Sequence, residues 1–519
     1  MTEKAVRDVV IVGGGTAGWL TAGILAADHR AAFEDGLRVT LVESPTIPIL
    51  GVGEGTWPSL RDTLRRIGIG ETDFIRQCNA SFKQGSRFDG WVNGAADDVY
   101  FHPFEAPPSF DDIDPLALWR AAPAGTPFAE AISHQAALCL AGRAPKQIVT
   151  PEYAAVANYA YHLDAPAFAA MLRAHCTQKL GVRLITDDMV DVVIGDDGTV
   201  ESLVTKASGH VAGDLFVDCT GTRALLIGKA LGVEAKSVGN FLFNDRALAL
   251  HAPYEGEQAP IASQTTATAM PAGWIWDIAL QTRRGIGYVY SSAYTSEDAA
   301  RADLSTYLHR AAPASGVSGA DARLIKFSGG YRETPWVGNV VAIGMAQGFV
   351  EPLEASAIVM IELSAMMLSD TLPAWRGAIE TASARFNQRF AYRWSRIVDF
   401  LKLHYVLSRR PGQYWADNRK IASWPERLRR LVAQWKFEAP SREDFPQILE
   451  IFPAVSYVYI LYGMGFETAP RRTHRRKDSP AIAERHLRDM ALKRKKFLDG
   501  LPSNRELIGH IQSRGLTRI

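Results

Sequence analysis

A glycine-rich turn near the N-terminus constrains the fold of this 519-residue chain more than any other stretch. The apolar run Val9–Val12 leads directly into Gly13–Gly18, after which apolar residues recur at helical spacing. Gly13 permits a tight turn, Gly15 leaves room for a pyrophosphate, and Gly18 allows a helix to pack closely. The pattern predicts a strand, a turn and a helix that together bind a dinucleotide. A glycine-rich turn without a ligand is the alternative.

The residues that follow support the same interpretation. Thr16 and Ala17 open the predicted helix, where free backbone N–H groups can bind phosphate. A second apolar strand, Leu37–Val42, ends in Glu43, whose carboxylate is placed to bind a ribose hydroxyl. We therefore expect an α/β fold built on a Rossmann-type domain.

Composition narrows the possible partners and compartments. The 57 basic and 56 acidic residues nearly cancel, so no global field favours nucleic acid. The start, Met1–Ala5, has no apolar signal core, and acidic residues interrupt the apolar stretch around Met360, so we expect a cytoplasmic protein without a membrane span. The cysteines lack metal-ligand or disulfide spacing, so we expect buried thiols and no metal site. They are Cys78, Cys139, Cys176 and Cys219.

Two further segments carry candidate site residues. The loop 45–58 alternates glycines with apolar residues, which favours a strap over the cofactor, although a surface turn is possible. Lys83 lies between aromatic residues, where burial would lower the pKa of its amine, although most lysines lie in solvent. His102 and Phe104 belong to an aromatic cluster suited to a pocket wall or, equally, to a core corner.

The remaining pattern predicts a discontinuous cofactor domain. We expect residues 1–235 to form its first part and residues 331–370 its return segment. A β-rich substrate-side region is expected over 236–330, and a helical region over 371–519. The basic runs 471–477 and 493–496 are interpreted as solvated helix ends.

Four motifs together resemble the flavin-dependent tryptophan halogenase family over roughly residues 8–470. They are Gly13-Gly14-Gly15-Thr16-Ala17-Gly18-Trp19, Phe82-Lys83-Gln84-Gly85, Trp274-Ile275-Trp276-Asp277-Ile278 and Glu351-Pro352-Leu353-Glu354. The tryptophan pair separates halogenases from other flavin monooxygenases. The family motif ends in Ile-Pro, whereas this chain has Ile278-Ala279.

The resemblance implies a cofactor and a set of roles. FAD would arrive as FADH2 from a separate reductase, by diffusion, and with O2 would convert chloride or bromide to hypohalous acid. Lys83 would hold the halogenating species, and Glu354 would position it or act as a base. The other implied residues are Val190, Gly344 and Phe349 for FAD, the backbone of Ser356 and Ala357 for halide, and His102 and Phe104 for the indole ring.

The substrate and the competing functions remain open. The tryptophan-bearing C-terminal segment of the family does not align with Ile451–Tyr457, so the resemblance allows free indole, another aromatic or tryptophan as substrate. We expect a monomer or a homodimer. A single-component flavin hydroxylase would not need the combination of Lys83 with the tryptophan pair, and a non-catalytic flavin-binding protein would not need both Lys83 and Glu354.

Overall fold

The computed structural model describes residues 4–48, 51–107, 113–470 and 479–518. The chain forms two compact units, each assembled from three stretches of sequence. The first unit takes residues up to 79 together with 163–238 and 328–395. The second takes 80–162, 239–327 and the residues from 396 onwards.

The strands, in chain order, are β1 (Asp8–Val12), β2 (Arg38–Glu43), β3 (Glu54–Gly55), β4 (Ser81–Lys83), β5 (Gly85–Asp89), β6 (Val99–Pro103), β7 (Ala160–Leu163), β8 (Arg183–Thr186), β9 (Met189–Ile194), β10 (Val200–Thr205), β11 (Gly209–Ala212), β12 (Leu215–Asp218), β13 (Lys236–Ser237), β14 (Arg246–Pro253), β15 (Thr265–Met270), β16 (Gly273–Ala279), β17 (Arg283–Tyr290), β18 (Arg323–Lys326), β19 (Gly330–Tyr331), β20 (Trp336–Val337), β21 (Val340–Ala342) and β22 (Gly348–Phe349).

The helices are α1 (Thr16–Asp28), α2 (Leu60–Arg66), α3 (Glu71–Gln77), α4 (Pro115–Ala121), α5 (Phe128–Ile132), α6 (Gln135–Leu140), α7 (Ala165–Lys179), α8 (Glu297–Ala311), α9 (Ser356–Asp370), α10 (Ile379–Val406), α11 (Gln413–Asn418), α12 (Glu426–Trp435), α13 (Ala454–Gly463), α14 (Pro480–Gly500) and α15 (Asn504–Arg514).

The first unit is built around a mostly parallel sheet with the strand order β20-β21-β12-β1-β2-β8. Strand β1 is central because Val9–Val12 are all buried, and it pairs in parallel with both β2 and β12. Helix α1 packs against α7 and α9. The predicted strand–turn–helix and the Rossmann-type fold are confirmed.

The turn between β1 and α1 requires its glycines. Gly13 has φ +113°, and a Cβ there would lie 2.3 Å from the carbonyl oxygen of Cys219. A Cβ on Gly18 would lie 1.8 Å from the carbonyl oxygen of Gly13. Only glycine therefore lets the turn approach β12 and the helix approach the turn.

The second unit contains a sheet with the order β18-β14-β17-β16-β15-β5-β6. Its neighbours are antiparallel except for the parallel pair β15 and β5. Residues 80–162, which the sequence grouped with the cofactor domain, pack in this unit because β5 hydrogen-bonds to β15. The compact units thus divide the chain differently from the predicted boundaries.

The helical segments follow the sequence with one exception. Helices dominate after residue 370, as expected, but the region predicted to be strand-rich also contains α8, whose N-terminus is capped by the Ser296 hydroxyl. All four cysteines are buried thiols, as predicted. Among the described residues, none of the helices is both long and apolar enough to cross a bilayer. The basic run 471–477 lies outside the described residues, whereas 493–496 lies within α14.

Candidate functional site

The N-terminus of α1 offers open space for phosphate. Gly15 is the N-cap residue, and nothing lies within 4 Å of a Cβ built on it. The first backbone N–H groups of the helix, from Thr16 and Ala17 onwards, have no intrahelical partner. Gly344 has φ +72° and approaches so closely that its Cβ would lie 2.7 Å from the Ala17 Cβ. The turn fits the pyrophosphate of FAD in both shape and polarity.

Glu43 stands at the carboxyl end of β2, beside the same turn. Its carboxylate accepts hydrogen bonds from Trp19 Nε1 at 3.2 Å and from Arg173 Nε at 2.8 Å. A Cβ on Gly14 would lie 2.3 Å from Glu43 Oε2, so the turn and the carboxylate pack directly together. The two donors hold the carboxylate in place, and its remaining lone pairs can still accept from a ribose hydroxyl.

Two other predicted cofactor residues also belong to the first unit. Val190 lies in β9 and its side chain is 60% exposed. It follows shortly after Asp188, which accepts a hydrogen bond from Ser44 beyond the end of β2. Phe349 lies in β22, which pairs with β19.

Glu354 occupies a strained turn immediately before α9. Its φ is +64° and that of Ala355 is +54°, a conformation that non-glycine residues rarely adopt. Trp57, from the predicted strap, donates its indole N–H to the Glu354 carbonyl oxygen at 2.8 Å. A Cβ on Gly51 would lie 2.5 Å from Pro166 Cδ, so the strap also packs against the start of α7. The strap therefore touches the residues that precede α9.

Ser356 and Ala357 are the first residues of α9, which is 15 residues long. Their backbone N–H groups lie at the positive end of the helix dipole, where an anion is stabilised. Because α9 packs along α1, the first unit contains two neighbouring helices whose N-terminal turns carry predicted site residues.

Glu362 ties the body of α9 to α2. It is fully buried and accepts hydrogen bonds from Ser59 Oγ at 3.1 Å and from Thr63 Oγ1. Burial raises the pKa of Glu362 to about 7, although both hydroxyl donors act in the opposite direction. Burial alone raises the pKa of Glu54, in the strap, to about 7.

In the second unit, Lys83 lies at the end of β4 and is 1% exposed. Its Nζ lies 5.3 Å from the centre of the Phe104 ring, and Phe104 N donates to the Gln84 carbonyl oxygen at 3.1 Å. Burial and the nearby charge of Lys83 hold the pKa of His162 well below its usual range. The structure therefore brings Lys83 and Phe104 together, beside a neutral imidazole.

His102 lies in β6, two residues before Phe104. Its ring centre is 5.7 Å from that of Phe400 in α10 and 6.1 Å from that of Tyr459 in α13. Phe400 in turn stacks on Phe452 at 3.8 Å. The C-terminal segment Ile451–Tyr457 is therefore packed into the aromatic cluster beside His102.

Trp274 and Trp276 lie on one face of β16, as the alternation predicts, with ring centres 6.4 Å apart. Both indole N–H groups are buried and make no hydrogen bond within the described ranges. An unsatisfied buried donor costs about 1–3 kcal/mol, so these two donors are candidates for contact with a bound molecule.

Fold and site together define the class of protein. The first unit has the Rossmann-type turn, acidic strand end and open helix N-terminus of a protein that binds FAD or a similar dinucleotide. The second unit adds a buried lysine, Lys83, beside the aromatic ring of Phe104.

Comparison with known proteins identifies the family within this class. The sequence profile of the family described as "Tryptophan halogenase" matches residues 8–481. Tryptophan 6-halogenase SttH from Streptomyces toxytricini is 34% identical over 98% of both chains. Tryptophan 7-halogenase RebH from Lentzea aerocolonigenes is 30% identical over 92% of this chain and 94% of its own.

Solved structures support the same family assignment. The tryptophan halogenase from Shewanella frigidimarina has a TM-score of 0.95 and 44% identity, covering all of both chains. BrvH, a flavin-dependent halogenase from Brevundimonas sp. BAL3, has a TM-score of 0.84 and 33% identity over 97% of this chain and 99% of its own. The chain belongs to the tryptophan halogenase family and is an enzyme of the flavin-dependent halogenase type, as the four motifs predicted.

Sequence reasoning missed Trp57 as a site residue. The loop that carries it was predicted to lie near the cofactor, but its bond partner Glu354 is 297 positions further along the chain. Nothing in the local pattern distinguishes Trp57 from an ordinary core tryptophan.

Proposed function

We propose that this enzyme uses FADH2 and O2 to halogenate an electron-rich aromatic molecule with chloride or bromide. Bound at the turn Gly13–Gly18 beside Glu43, FADH2 would supply, with O2, the oxidation of halide to hypohalous acid. Overall, FADH2, O2, halide, an aromatic C–H and one proton give FAD, the aryl halide and two waters. The observation that carries the proposal is the buried Lys83 beside Phe104, in a chain that also has an open dinucleotide turn.

Lys83 is assigned the delivery of halogen. Its amine lies at the end of β4, almost fully shielded from water, with the Phe104 ring 5.3 Å away. Such an amine can donate a hydrogen bond to hypohalous acid or carry the halogen as a haloamine. Shielding from water also keeps the reactive halogen from being lost to solvent.

Glu354 is assigned the handling of charge and protons. Its backbone adopts a left-handed turn, and its carbonyl oxygen accepts a hydrogen bond from Trp57. As a base it would take the proton from the ring carbon after halogen has added. The N–H groups of Ser356 and Ala357 would bind halide.

Indole or a derivative of indole is the proposed substrate. His102 and Phe104 have flat aromatic rings, and the C-terminal segment beside them contributes the rings of Phe452 and Tyr457, with that of Tyr459 following in α13. Stacking and apolar burial, at about 25 cal/mol per Å², favour the ring, whereas a charged amino-acid tail needs polar partners to offset desolvation. We propose that indole is turned over at least as well as tryptophan, at C3 of the pyrrole ring.

The physiological setting follows from the same chemistry. A separate flavin reductase would supply FADH2 by diffusion. We propose a cytoplasmic enzyme that acts as a monomer or a homodimer.

A reductase-coupled assay tests the proposal. The purified protein is given FAD, NADH, a flavin reductase, chloride or bromide, and tryptophan, indole or phenol, and products are read by mass spectrometry. Wild type should halogenate indole, whereas Lys83→Ala and the bulkier Lys83→Met should oxidise FADH2 at the wild-type rate without halogenating.

The controls separate the competing functions. Halogenation by Lys83→Ala would remove Lys83 from the mechanism. Rapid bleaching of flavin by NADPH without any reductase would instead indicate a single-component hydroxylase. Clean halogenation of tryptophan on its benzo ring, with indole a poor substrate, would show that the chain anchors the amino-acid tail.

A further inference from the structure

The strand that carries Lys83 has an unusual outer edge. β4 pairs with β7 along one side, in the register Phe82↔Tyr161 and Lys83↔Ala160. Within the part of the chain that the structure describes, no strand pairs with its other edge. Backbone groups at alternate residues point to that edge and need other partners.

Two carbonyl groups at this edge, those of Ala80 and Phe82, accept hydrogen bonds from side-chain amides. Gln281 Nε2 donates to the Ala80 carbonyl oxygen at 2.6 Å. Asn504 Nδ2 donates to the Phe82 carbonyl oxygen at 3.0 Å. At the next alternate position, Gln84 N donates to the Ser263 carbonyl oxygen at 2.7 Å.

Both amides are connected to helix α15: Asn504 belongs to it, and Gln281 is hydrogen-bonded to it. Asn504 is its first residue, is fully buried, and also donates to the Ala262 carbonyl oxygen at 3.3 Å. Gln512, two turns further along α15, donates to Gln281 Oε1 at 2.7 Å, and Arg505 donates to the Gln281 carbonyl oxygen at 2.7 Å. The helix therefore reaches β4 directly through Asn504 and indirectly through Gln281.

The start of α15 is itself fixed. The Ser503 hydroxyl accepts from Glu506 N at 3.2 Å and the Glu506 carboxylate accepts from Ser503 N at 2.7 Å, forming a capping box. Asn504 N donates to the Gly142 carbonyl oxygen at 2.9 Å, and Ala144 N donates to that of Pro502. Because these bonds leave the first turn of α15 little freedom, its amide can hold β4 in one place.

We propose that α15 positions Lys83 for halogen transfer, with Asn504 as the positioning residue. The proposal rests on the proposed role of Lys83. Pairing with β7 sets the register of β4, and Asn504 of α15 anchors the Phe82 carbonyl on the outer edge of the strand, directly before Lys83. Helix α15 lies beyond residue 481, where the match to the family profile ends.

The test uses the full-length enzyme with Asn504→Leu, which keeps the side-chain size and removes the amide donor. Halogenated indole formed per FADH2 oxidised is measured in the reductase-coupled assay. We expect this ratio to fall roughly 10- to 100-fold, the scale of a misplacement of about 1 Å. The rate of FADH2 oxidation and the KM for indole should not change.

Two further variants make the result specific. Gln512→Ala removes the indirect contact with Gln281 and should lower the ratio less than Asn504→Leu. Ser513→Ala is the matched control, because the Ser513 hydroxyl is exposed and bonds only to carbonyls of its own helix. It should behave as wild type. If Asn504→Leu does not fold, the product ratio of Gln512→Ala tests the proposal: a lowered ratio supports it and an unchanged ratio overturns it.

Three outcomes would overturn the inference. One is an unchanged ratio in both Asn504→Leu and Gln512→Ala. Another is a loss of product in proportion to lost folded protein or to lost FADH2 oxidation, which would mean a general structural role. The third, halogenation by Lys83→Ala, would remove the role of Lys83 as well. If wild type halogenates, Lys83→Ala does not, and Asn504→Leu matches wild type, only the inference about α15 fails.

Discussion

Backbone strain marks Glu354 at the scale of single residues. Two consecutive non-glycine residues, Glu354 and Ala355, lie in the left-handed region, at a cost of about 1–3 kcal/mol each. The bond from Trp57 to the Glu354 carbonyl helps to hold this turn. Glu351, three positions earlier, has no such backbone and is 2% exposed. Strain of this kind is characteristic of functional sites, which favours Glu354 over Glu351 as the acting carboxylate.

A pair of glutamine substitutions tests that choice. Glu354→Gln should lower halogenation by roughly 10²–10⁴-fold, as expected for loss of a positioned acid or base. Glu351→Gln should lower it less. Product formed per folded enzyme is measured in the coupled assay, with FADH2 oxidation as the internal reference. The reverse order of the two effects would place the acting carboxylate three residues earlier, at Glu351.

At the scale of elements, two helix N-termini organise the first unit. Helix α1 begins at the open turn of Gly15, and α9 begins after the strained turn of Glu354. The first N–H groups of each helix have no partner within that helix, and the two helices pack together. One is suited to a phosphate group and the other to a small anion.

The open space at Gly15 allows a clean test of the cofactor site. Gly15→Val places its first side-chain carbon where no protein atom lies within 4 Å, so the fold should be retained. The side chain would occupy the space proposed for pyrophosphate. Losing even one charge-assisted hydrogen bond, worth about 1.5–3 kcal/mol, weakens FAD binding at least about tenfold. Binding is measured by flavin fluorescence titration.

Gly256→Val is the matched control, because its added Cβ also meets no atom within 4 Å. It should bind FAD like wild type. Wild-type affinity in Gly15→Val would show that the dinucleotide does not lie on this turn.

At the scale of the whole molecule, buried Glu362 couples the stability of the protein to pH. Its pKa is raised by burial from 4.5 to about 7 in the folded protein. The unfolded chain therefore loses this proton at a lower pH than the folded chain. The stabilising contribution is complete below pH 4.5 and is lost as the pH rises to about 7.

Glu362→Gln removes this dependence while keeping an oxygen that accepts from Ser59 or Thr63. The free energy of unfolding of the variant minus that of wild type should increase by up to about 3 kcal/mol as the pH rises from 4.5 to 8. Urea denaturation at both pH values measures the difference. An equal stability difference at the two pH values would show that Glu362 does not titrate in this range.

Local sequence patterns were sufficient to predict the first strand, turn and helix and one pair of neighbouring site residues. The run Val9–Val12 followed by Gly13–Gly18 specifies strand, turn and helix through side-chain size and backbone freedom, which are properties of the sequence itself. Neighbouring residues also placed Lys83 beside Phe104, since β4, β5 and β6 follow one another closely along the chain. The roles of the predicted site residues stay predictions until the variants are measured.

Contacts between distant parts of the chain could not be predicted in the same way. The alternation of Trp274 and Trp276 predicted a shared face, but not that both indole N–H groups are buried without a partner. The helix α8 was missed because tertiary packing against β17 supports it within a strand-rich region. That residues 80–162 fall in the second compact unit could not be predicted, because the parallel pairing of β5 with β15 spans about 180 positions.

By itself, the sequence determined the Rossmann-type strand–turn–helix and the family, and it predicted Lys83 and Glu354 as site residues. These depend on short motifs, in which each residue acts through its own size, charge or backbone freedom. Only the tertiary structure decided that Trp57 holds the Glu354 carbonyl, that Glu362 is buried, and that Asn504 completes the edge of β4. Hydrogen bonds between residues hundreds of positions apart leave no local pattern, because the partner of each group is set by how the chain packs.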